Sequence, residues 1–299
     1  MTDGVVNVLK PPGMTSSNVV SDLRRIFGLQ RVGHTGTLDP GAAGVLPVCI
    51  GRATRLFDFL ADKDKEYIAE LCLGAATDTQ DSYGAATDTA QAEVCVREED
   101  LRAALAQFTG TITQTVPMYS AARVGGKRLY ELARAGVQSV VPKIREVEIS
   151  GLELLGQTAQ NRFLLRVCCS RGTYVRTLCF DIGQRLGYPA HMSFLLRTRS
   201  GAFRIEDAYS IAELEALKAQ NQLERVLVAP DVAVENLPKI VLENLDAQEK
   251  KRFLSGTEIE FDGQGPVRVY VDGAFVGLGQ ANAGRMHISV RFTKEEETC

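Results

Sequence analysis

The sequence predicts an α+β chain in two parts: a larger mixed α/β domain over residues 1–232 and a small β-rich domain over 233–299. Three observations carry this. A chain of 299 residues is about two domains long at roughly 150 residues each. Helical and strand-like patterns are interleaved through the first part with no internal repeat. After about residue 232 the pattern changes to short strands, one tight hairpin and a single helix.

Residues 17–27 (SNVVSDLRRIF) put Val19, Val20, Leu23, Ile26 and Phe27 on one helical face, and Gly28 is a C-terminal stop. A glycine-rich loop, 33–44, leads into an apolar strand at 45–50. Residues 52–61 are helical, 67–73 alternate as a strand, and 77–84 (TDTQDSYG) form a polar turn. A helix is expected at 98–108, and strands at 147–155 and 163–169. Residues 173–186 form a helix that Thr173 caps and Gly187 ends. Ser210 and Glu213 make a capping box for a helix reaching about residue 219. Pro230 and Pro238 bracket a linker, followed by a strand at 240–242 and a helix at 246–254. In VRVYV-DG-AFVGLG, Asp272-Gly273 between alternating runs signals a two-residue hairpin. A last strand at 286–292 precedes an acidic tail.

Hydrophobic residues make up 45% of the chain and charged residues 24%, as in ordinary globular proteins. No apolar run approaches the roughly 18 residues of a membrane span. The N-terminal MTDGVVNVLKPPG lacks the basic and apolar regions of a secretory signal, so a cytoplasmic location without membrane association is expected. The seven cysteines include no CxxC pair and are expected to be reduced and mostly buried. His34, His191 and His287 lie far apart in sequence, and no metal site is expected. The net charge of −3 divides unevenly: −5 over residues 1–111, +9 over 112–205 and −7 over 206–299. The basic middle third suits an anion-binding surface, although a solvated cluster of charge would give the same count.

The chemistry concentrates in Gly33-His34-Thr35-Gly36-Thr37-Leu38-Asp39-Pro40-Gly41. Glycines allow a ligand to approach the backbone closely, and Asp39-Pro40-Gly41 is turn chemistry that can present a carboxylate to a pocket. Taken alone, the tripeptide more often describes an aspartate that only caps its turn.

The wider pattern decides between these. GHTGTLDPGAAGVLPVCIG closely resembles the catalytic loop of the TruB family of tRNA pseudouridine synthases. KPPGMTSSNVV from Lys10, KEYIAELCLGAATDTQDSYG from Lys65 and CSRGTYVRTLCFDIGQRLG from Cys169 resemble its N-terminal, tyrosine and arginine blocks, in the family's order. PMYSAARVGGKRLYELARAG resembles the segment that closes over RNA, a flap expected over about 118–146, and residues from about 233 fit the family's small PUA domain. The resemblance covers nearly the whole chain. It departs at Val116-Pro117, where paired prolines are expected, and at Arg123, where lysine is usual. Both positions concern grip on RNA rather than bond chemistry.

The resemblance implies a catalytic domain built on a central mixed, largely antiparallel sheet flanked by helices. It implies isomerisation of the tRNA T-loop uridine at position 55 to pseudouridine, with base flipping. That reaction involves no redox change and no net hydrolysis, so no cofactor is expected. By the same resemblance Asp39 is the essential carboxylate, either a nucleophile at the sugar or the base that forms a glycal. Arg176 is its partner, held in a fixed two-pronged contact. Tyr67 stacks on the target base, which is worth about 1–3 kcal/mol, and Leu195 packs beneath it. His34 helps extract the base. Without the family match, Arg176 would be a surface helix arginine, Tyr67 a strand tyrosine, Leu195 a core leucine and His34 a loop brace.

Arg123, Lys127, Arg128 and Arg134 fit a flap over phosphates. Lys10 is grouped with these RNA-binding residues, although supporting the N-terminal block is its more natural role. The expected partner is tRNA, through its T-arm and acceptor stem. Guide-RNA members of the family usually carry basic tails, whereas this chain ends TKEEETC. A monomer with no obligate protein partner is therefore expected. Two other function classes stay open at this level. A glycosidase-like hydrolase would want a second carboxylate, for which Asp78 and Asp81 are the nearby candidates, and a non-catalytic RNA-binding protein would need only the basic segment and the tail domain.

Overall fold

The computed structural model describes residues 3–61, 63–137 and 143–292. Part of the expected flap, 138–142, and the acidic tail from 293 lie outside the described residues.

Hydrophobic alternation builds the main sheet. In the Lys65–Leu73 strand Tyr67, Ala69 and Leu71 point one way into a buried cluster, while Glu66, Ile68 and Glu70 point to the half-exposed face. Ten strands assemble in this way. The path runs Leu227–Val228, Gly4–Lys10, Ala43–Ile50, Ala190–Ser200, Lys65–Leu73, Arg162–Cys169, Ile144–Ala159 and Gly110–Thr115. Val32–His34 adds to Ala43–Ile50, and Phe203–Arg204 adds to Ala190–Ser200. Every neighbouring pair is antiparallel except Ala43–Ile50 with Ala190–Ser200. The sheet is thus mixed and largely antiparallel, as the resemblance implied.

That parallel junction is tight. Leu196 is in register with Ala43 and Arg197 with Gly44. Gly44 has φ +113°, and a Cβ there would overlap the Arg197 backbone. Only glycine fits such an approach. The junction fixes the start of the strand that follows the Asp39 loop.

Helices cover the sheet by burying amphipathic faces. Ser16–Phe27 buries Val19, Val20, Leu23 and Ile26 against Val6, Val8, Leu46 and Val48; Phe27 is only half-buried. Thr15 caps it by accepting from the Asn18 N–H, and Gly28 ends it at φ 66°. Val175–Leu186 and Glu98–Ala106 pack Leu178, Ile182, Leu101 and Leu105 onto the other part of the sheet. The Ser210–Glu213 capping box starts Ile211–Ala219 as expected.

The expected Thr173 cap is corrected. The helix begins at Val175, and Tyr174 in the cap position has no side-chain cap bond. The Thr173 hydroxyl donates instead to the Ser170 carbonyl at 3.0 Å. The helix entrance is held from across the sheet, where the Gln114 amide donates to the Tyr174 carbonyl (3.2 Å) and accepts from its N–H (3.0 Å).

The C-terminal part is a second, five-stranded sheet in the order Lys239–Leu242, Gly265–Val271, Ala274–Asn282, Arg285–Arg291 and Ile259–Glu260. Asp272 (φ 49°) and Gly273 (φ 79°) form the expected hairpin turn. Ala247–Leu254 packs Phe253 and Leu254 into this sheet's own core. A shared cluster joins the two parts: Val5, Val45, Leu56 and Leu60 meet Val234, Leu278 and Phe292. Among the described residues no helix is long and apolar enough to cross a membrane.

Candidate active site

The Asp39 loop is pinned on both sides of the aspartate. Leu38 is 3% exposed in the core. Its N–H donates to Ser16 Oγ (2.9 Å), and that hydroxyl donates back to the Leu38 carbonyl (3.1 Å). The Pro40 carbonyl accepts from the Gly13 N–H (2.8 Å), and the Ala42 N–H closes the turn on the Asp39 carbonyl (3.0 Å). Residues that flank Asp39 are thus fixed by the Ser16–Phe27 helix and its approach, while the Asp39 carboxylate stays 38% exposed at the mouth of a cavity of about 370 Å³.

Arg176 enters from the first turn of the Val175–Leu186 helix and is almost fully buried. Its Nε contacts Asp39 Oδ2 at 2.8 Å. Nη1 donates to the Thr79 carbonyl (2.7 Å) and Nη2 to the Tyr119 carbonyl (3.0 Å). The expected two-pronged contact with Asp39 is therefore replaced by one prong, because the other two nitrogens tie down separate loops.

Tyr67 and Leu195, each 7% exposed, stand on neighbouring strands and line the same cavity. Burial raises the Tyr67 phenol above its ordinary pKa, so its hydroxyl stays protonated. His34 lines the cavity at the strand end before the loop. Burial first, and the Arg197 charge second, hold its imidazole below the usual range. Its Nδ1 is buried with no hydrogen-bond partner. The structure thus brings His34, Asp39, Tyr67, Arg176 and Leu195 into one cavity.

Other expected residues lie elsewhere. Lys10 is fully buried beneath the loop, where its ammonium donates to the carbonyls of Pro11 (2.8 Å), Met14 (2.6 Å) and Pro40 (3.3 Å). An ammonium held this way is not offered to phosphate, so the RNA-binding expectation for Lys10 is corrected. Arg123, Lys127, Arg128 and Arg134 are exposed and do not line the cavity. Arg123–Val124 pairs with Lys127–Arg128 in a small hairpin, and Arg128 and Arg134 flank the Tyr130 ring at 5.8 and 5.5 Å.

Lys10 also titrates in an unusual window. Burial pushes its pKa down to about 8, against the pull of Asp39, and Arg197 adds to the fall. The unfolded chain holds this proton up to about 10.5. Its linked stability is therefore fully present above that value and is lost as pH falls through about 8. Between these limits the unfolding free energy of the wild type should rise relative to that of Lys10→Met. Denaturant titrations of both proteins at pH 7, 8, 9 and 10 read the difference, and a flat difference would show that Lys10 keeps an ordinary pKa.

Several residues at the site were not anticipated. Arg197 is 1% exposed, donating from Nε to the Val45 carbonyl (2.7 Å) and from Nη2 to the Gly36 carbonyl (3.1 Å). Arg145 and Arg171 line the cavity, and so do Lys65 and Ser120. Arg171 stands inside the CSRGTYVR block already singled out, so its place could have been read there. Arg145 lies at the end of the expected flap but outside every quoted motif, and Arg197 lies outside both.

Among the described residues Asp39 is the single acidic one lining the cavity, against Arg145, Arg171, Arg176, Arg197 and Lys65. Asp78 and Asp81 are engaged in their own turn. Asp78 accepts from the Ala85 N–H and the Tyr119 hydroxyl, and Asp81 from the Thr79 hydroxyl and the Tyr83 N–H. Among the described residues a two-carboxylate hydrolase has no second acid here. Cationic walls around one carboxylate suit a polyanionic ligand. Among the described residues no cluster of His, Cys, Asp and Glu is placed to hold a metal ion.

Residues 24–175 match a family model described as TruB family pseudouridylate synthase (N terminal domain). Residues 176–235 match the tRNA pseudouridylate synthase B C-terminal domain, and 243–287 match Pseudouridine synthase II TruB, C-terminal. A tRNA pseudouridine synthase B of Pelotomaculum thermopropionicum is 50% identical over 246 residues, covering 81% of this chain and 77% of its own. One of Caldanaerobacter subterraneus subsp. tengcongensis is 43% identical over 288 residues, covering 95% and 97%. Among solved structures, one described as a Cbf5-Nop10-Gar1 complex aligns with TM-score 0.74 and 27% identity over 99% of this chain and 86% of that one.

Proposed function

The chain belongs to the TruB family of pseudouridylate synthases and is an enzyme that isomerises uridine in tRNA to pseudouridine. From that premise we propose that its target is the T-loop uridine at position 55, flipped out of the loop and attacked with Asp39. The observation that carries this reading is the Asp39–Arg176 pair at 2.8 Å, set beside Tyr67 and Leu195 in one cavity.

The reaction breaks the bond from C1′ to N1, turns the uracil and joins C5 to C1′, after which the C5 proton leaves. An enzyme that acts on a stacked base must first extrude it into its cavity, which costs a few kcal/mol. Tyr67 and Leu195 give the extruded base an aromatic face and an apolar floor in place of its lost stacking. His34, neutral and with Nδ1 unpaired, stands at the strand end where the base leaves the loop and offers a hydrogen bond to the disturbed backbone. Asp39 acts as the nucleophile at C1′ or as the base at C2′, and Arg176 keeps its carboxylate aimed at the sugar in either case. No added cofactor is needed, because C5 gives up one proton and N1 takes one up, so the exchange involves no net oxidation, reduction or hydrolysis.

Arg123, Lys127, Arg128 and Arg134 lie on the flap segment and suit phosphate contacts outside the cavity. Residues 233–299 are proposed as a PUA-like RNA-binding domain that reaches the acceptor stem while the catalytic domain holds the T-arm. A monomer acting in the cytoplasm without a protein partner completes the proposal.

Release of tritium from C5 tests it. A T-loop hairpin labelled with 5-tritiated uridine should deliver one label to solvent per converted site, with the RNA intact and of unchanged chemical composition. Free labelled uracil would indicate a hydrolase. Tight binding with no release would leave only an RNA-binding protein, and either result would sink the reading.

A further inference from the structure

Ser120 carries a hydroxyl that nothing among the described residues uses. The residue is 5% exposed, its Oγ is buried without a hydrogen-bond partner, and the residue lines the Asp39 cavity. Buried hydroxyls are nearly always bonded, and an unmade bond weakens the fold. The main chain around Ser120 is fixed. The preceding carbonyl, of Tyr119, accepts from Arg176 Nη2 at 3.0 Å, and the Ser120 carbonyl accepts from the Tyr130 N–H at 3.1 Å. Only the hydroxyl is free to turn, by rotation about a single bond.

We propose that Ser120 is a further substrate-binding residue, whose hydroxyl turns into the cavity and hydrogen-bonds the 2′-hydroxyl of the flipped nucleotide. This rests on the functional reading above. Asp39 must reach C1′ or the hydrogen on C2′, so the ribose lies against the Asp39–Arg176 pair. Tyr67 and Leu195 take the base. Ser120 follows directly on Tyr119, whose carbonyl is held by the same guanidinium that contacts Asp39, which puts it on the sugar side. A serine hydroxyl donates and accepts, and so does a 2′-hydroxyl, so the two satisfy each other in either direction. A 2′-hydroxyl is also the group by which a protein tells RNA from DNA at one nucleotide.

A binding cycle tests this in an Asp39→Asn background, where turnover does not consume the ligand. Hairpins carrying uridine or 2′-deoxyuridine at the target are titrated against Asp39→Asn and Asp39→Asn/Ser120→Ala. Loss of the hydroxyl should weaken binding of the uridine hairpin about tenfold, the worth of one hydrogen bond in a dry site, and of the deoxy hairpin less than twofold. Equal weakening of both hairpins, or weakening of neither, would overturn the assignment. If Ser120→Ala lowers the thermal midpoint, Ser120→Cys, close in size and a poor hydrogen-bonder, carries the same cycle with the same two outcomes. Solvent tritium from the wild type is read in parallel. Its absence would remove the functional reading, whereas its presence with equal losses would remove only the role of Ser120.

Discussion

Asp39→Asn is expected to stop turnover while leaving a folded protein that still binds tRNA. The substitution removes the charge and nucleophilicity of the carboxylate and almost no volume. The side chain is 38% exposed and its contact is with Arg176 Nε, which an asparagine oxygen can still accept. The loop is held by backbone bonds at Leu38, Pro40 and Ala42, none of which involves the carboxylate. Stability should change by no more than about 1 kcal/mol, as for other partly exposed ion pairs. Binding draws mainly on phosphate contacts that the variant keeps. The rate should fall by a factor on the order of 10⁴ or more, as when the central group of a catalytic unit is removed. Single-turnover tritium release, with a thermal melt as control, measures both effects. More than a trace of wild-type rate in a folded variant would show that the chemistry resides elsewhere.

What was readable in the sequence was local. The helix over 17–27 with its Gly28 stop, the Ser210–Glu213 box and the Asp272-Gly273 turn each depend on residues a few positions apart, and each was anticipated. The Asp39 loop was legible for the same reason, since its glycines and turn residues sit in one short run. The strand Ala190–Ser200 was not. It lies at the centre of the sheet, yet its second half, LLRTRS, carries two arginines and looks like a solvated segment. Arg197 is buried there because the carbonyls of Gly36 and Val45, some 150 residues away in sequence, accept its N–H groups. Gly4–Lys10 was missed too, since a buried strand without polar alternation has no period to read. Thr173 and Lys10 misled for a related reason. Each has a residue type suited to one task, and long-range geometry assigned it another: a turn bond to Ser170 and a brace beneath Pro40.

Arg176→Lys should also impair turnover severely, although the charge is kept. The guanidinium uses three nitrogens on three partners: Asp39 Oδ2, the Thr79 carbonyl and the Tyr119 carbonyl. Their directions are fixed by the planar group, and a lysine offers one tetrahedral nitrogen on a flexible stem. If that nitrogen follows Asp39, two part-buried carbonyls lose their donors, at up to about 1 kcal/mol each. If it follows a carbonyl, Asp39 loses its partner and swings away from the sugar. Either way the 78–84 turn and Tyr119 are no longer tied to the carboxylate proposed to do the chemistry. The turnover rate should fall by roughly 10²–10³, the range seen when one preorganised donor is removed from an active site, and the dissociation constant for tRNA should change little. Single-turnover rates and equilibrium binding separate the two quantities, and a thermal melt reports the orphaned carbonyls. A folded Arg176→Lys enzyme with near-normal turnover would mean that the charge alone matters and that the threefold clasp has no part in positioning Asp39.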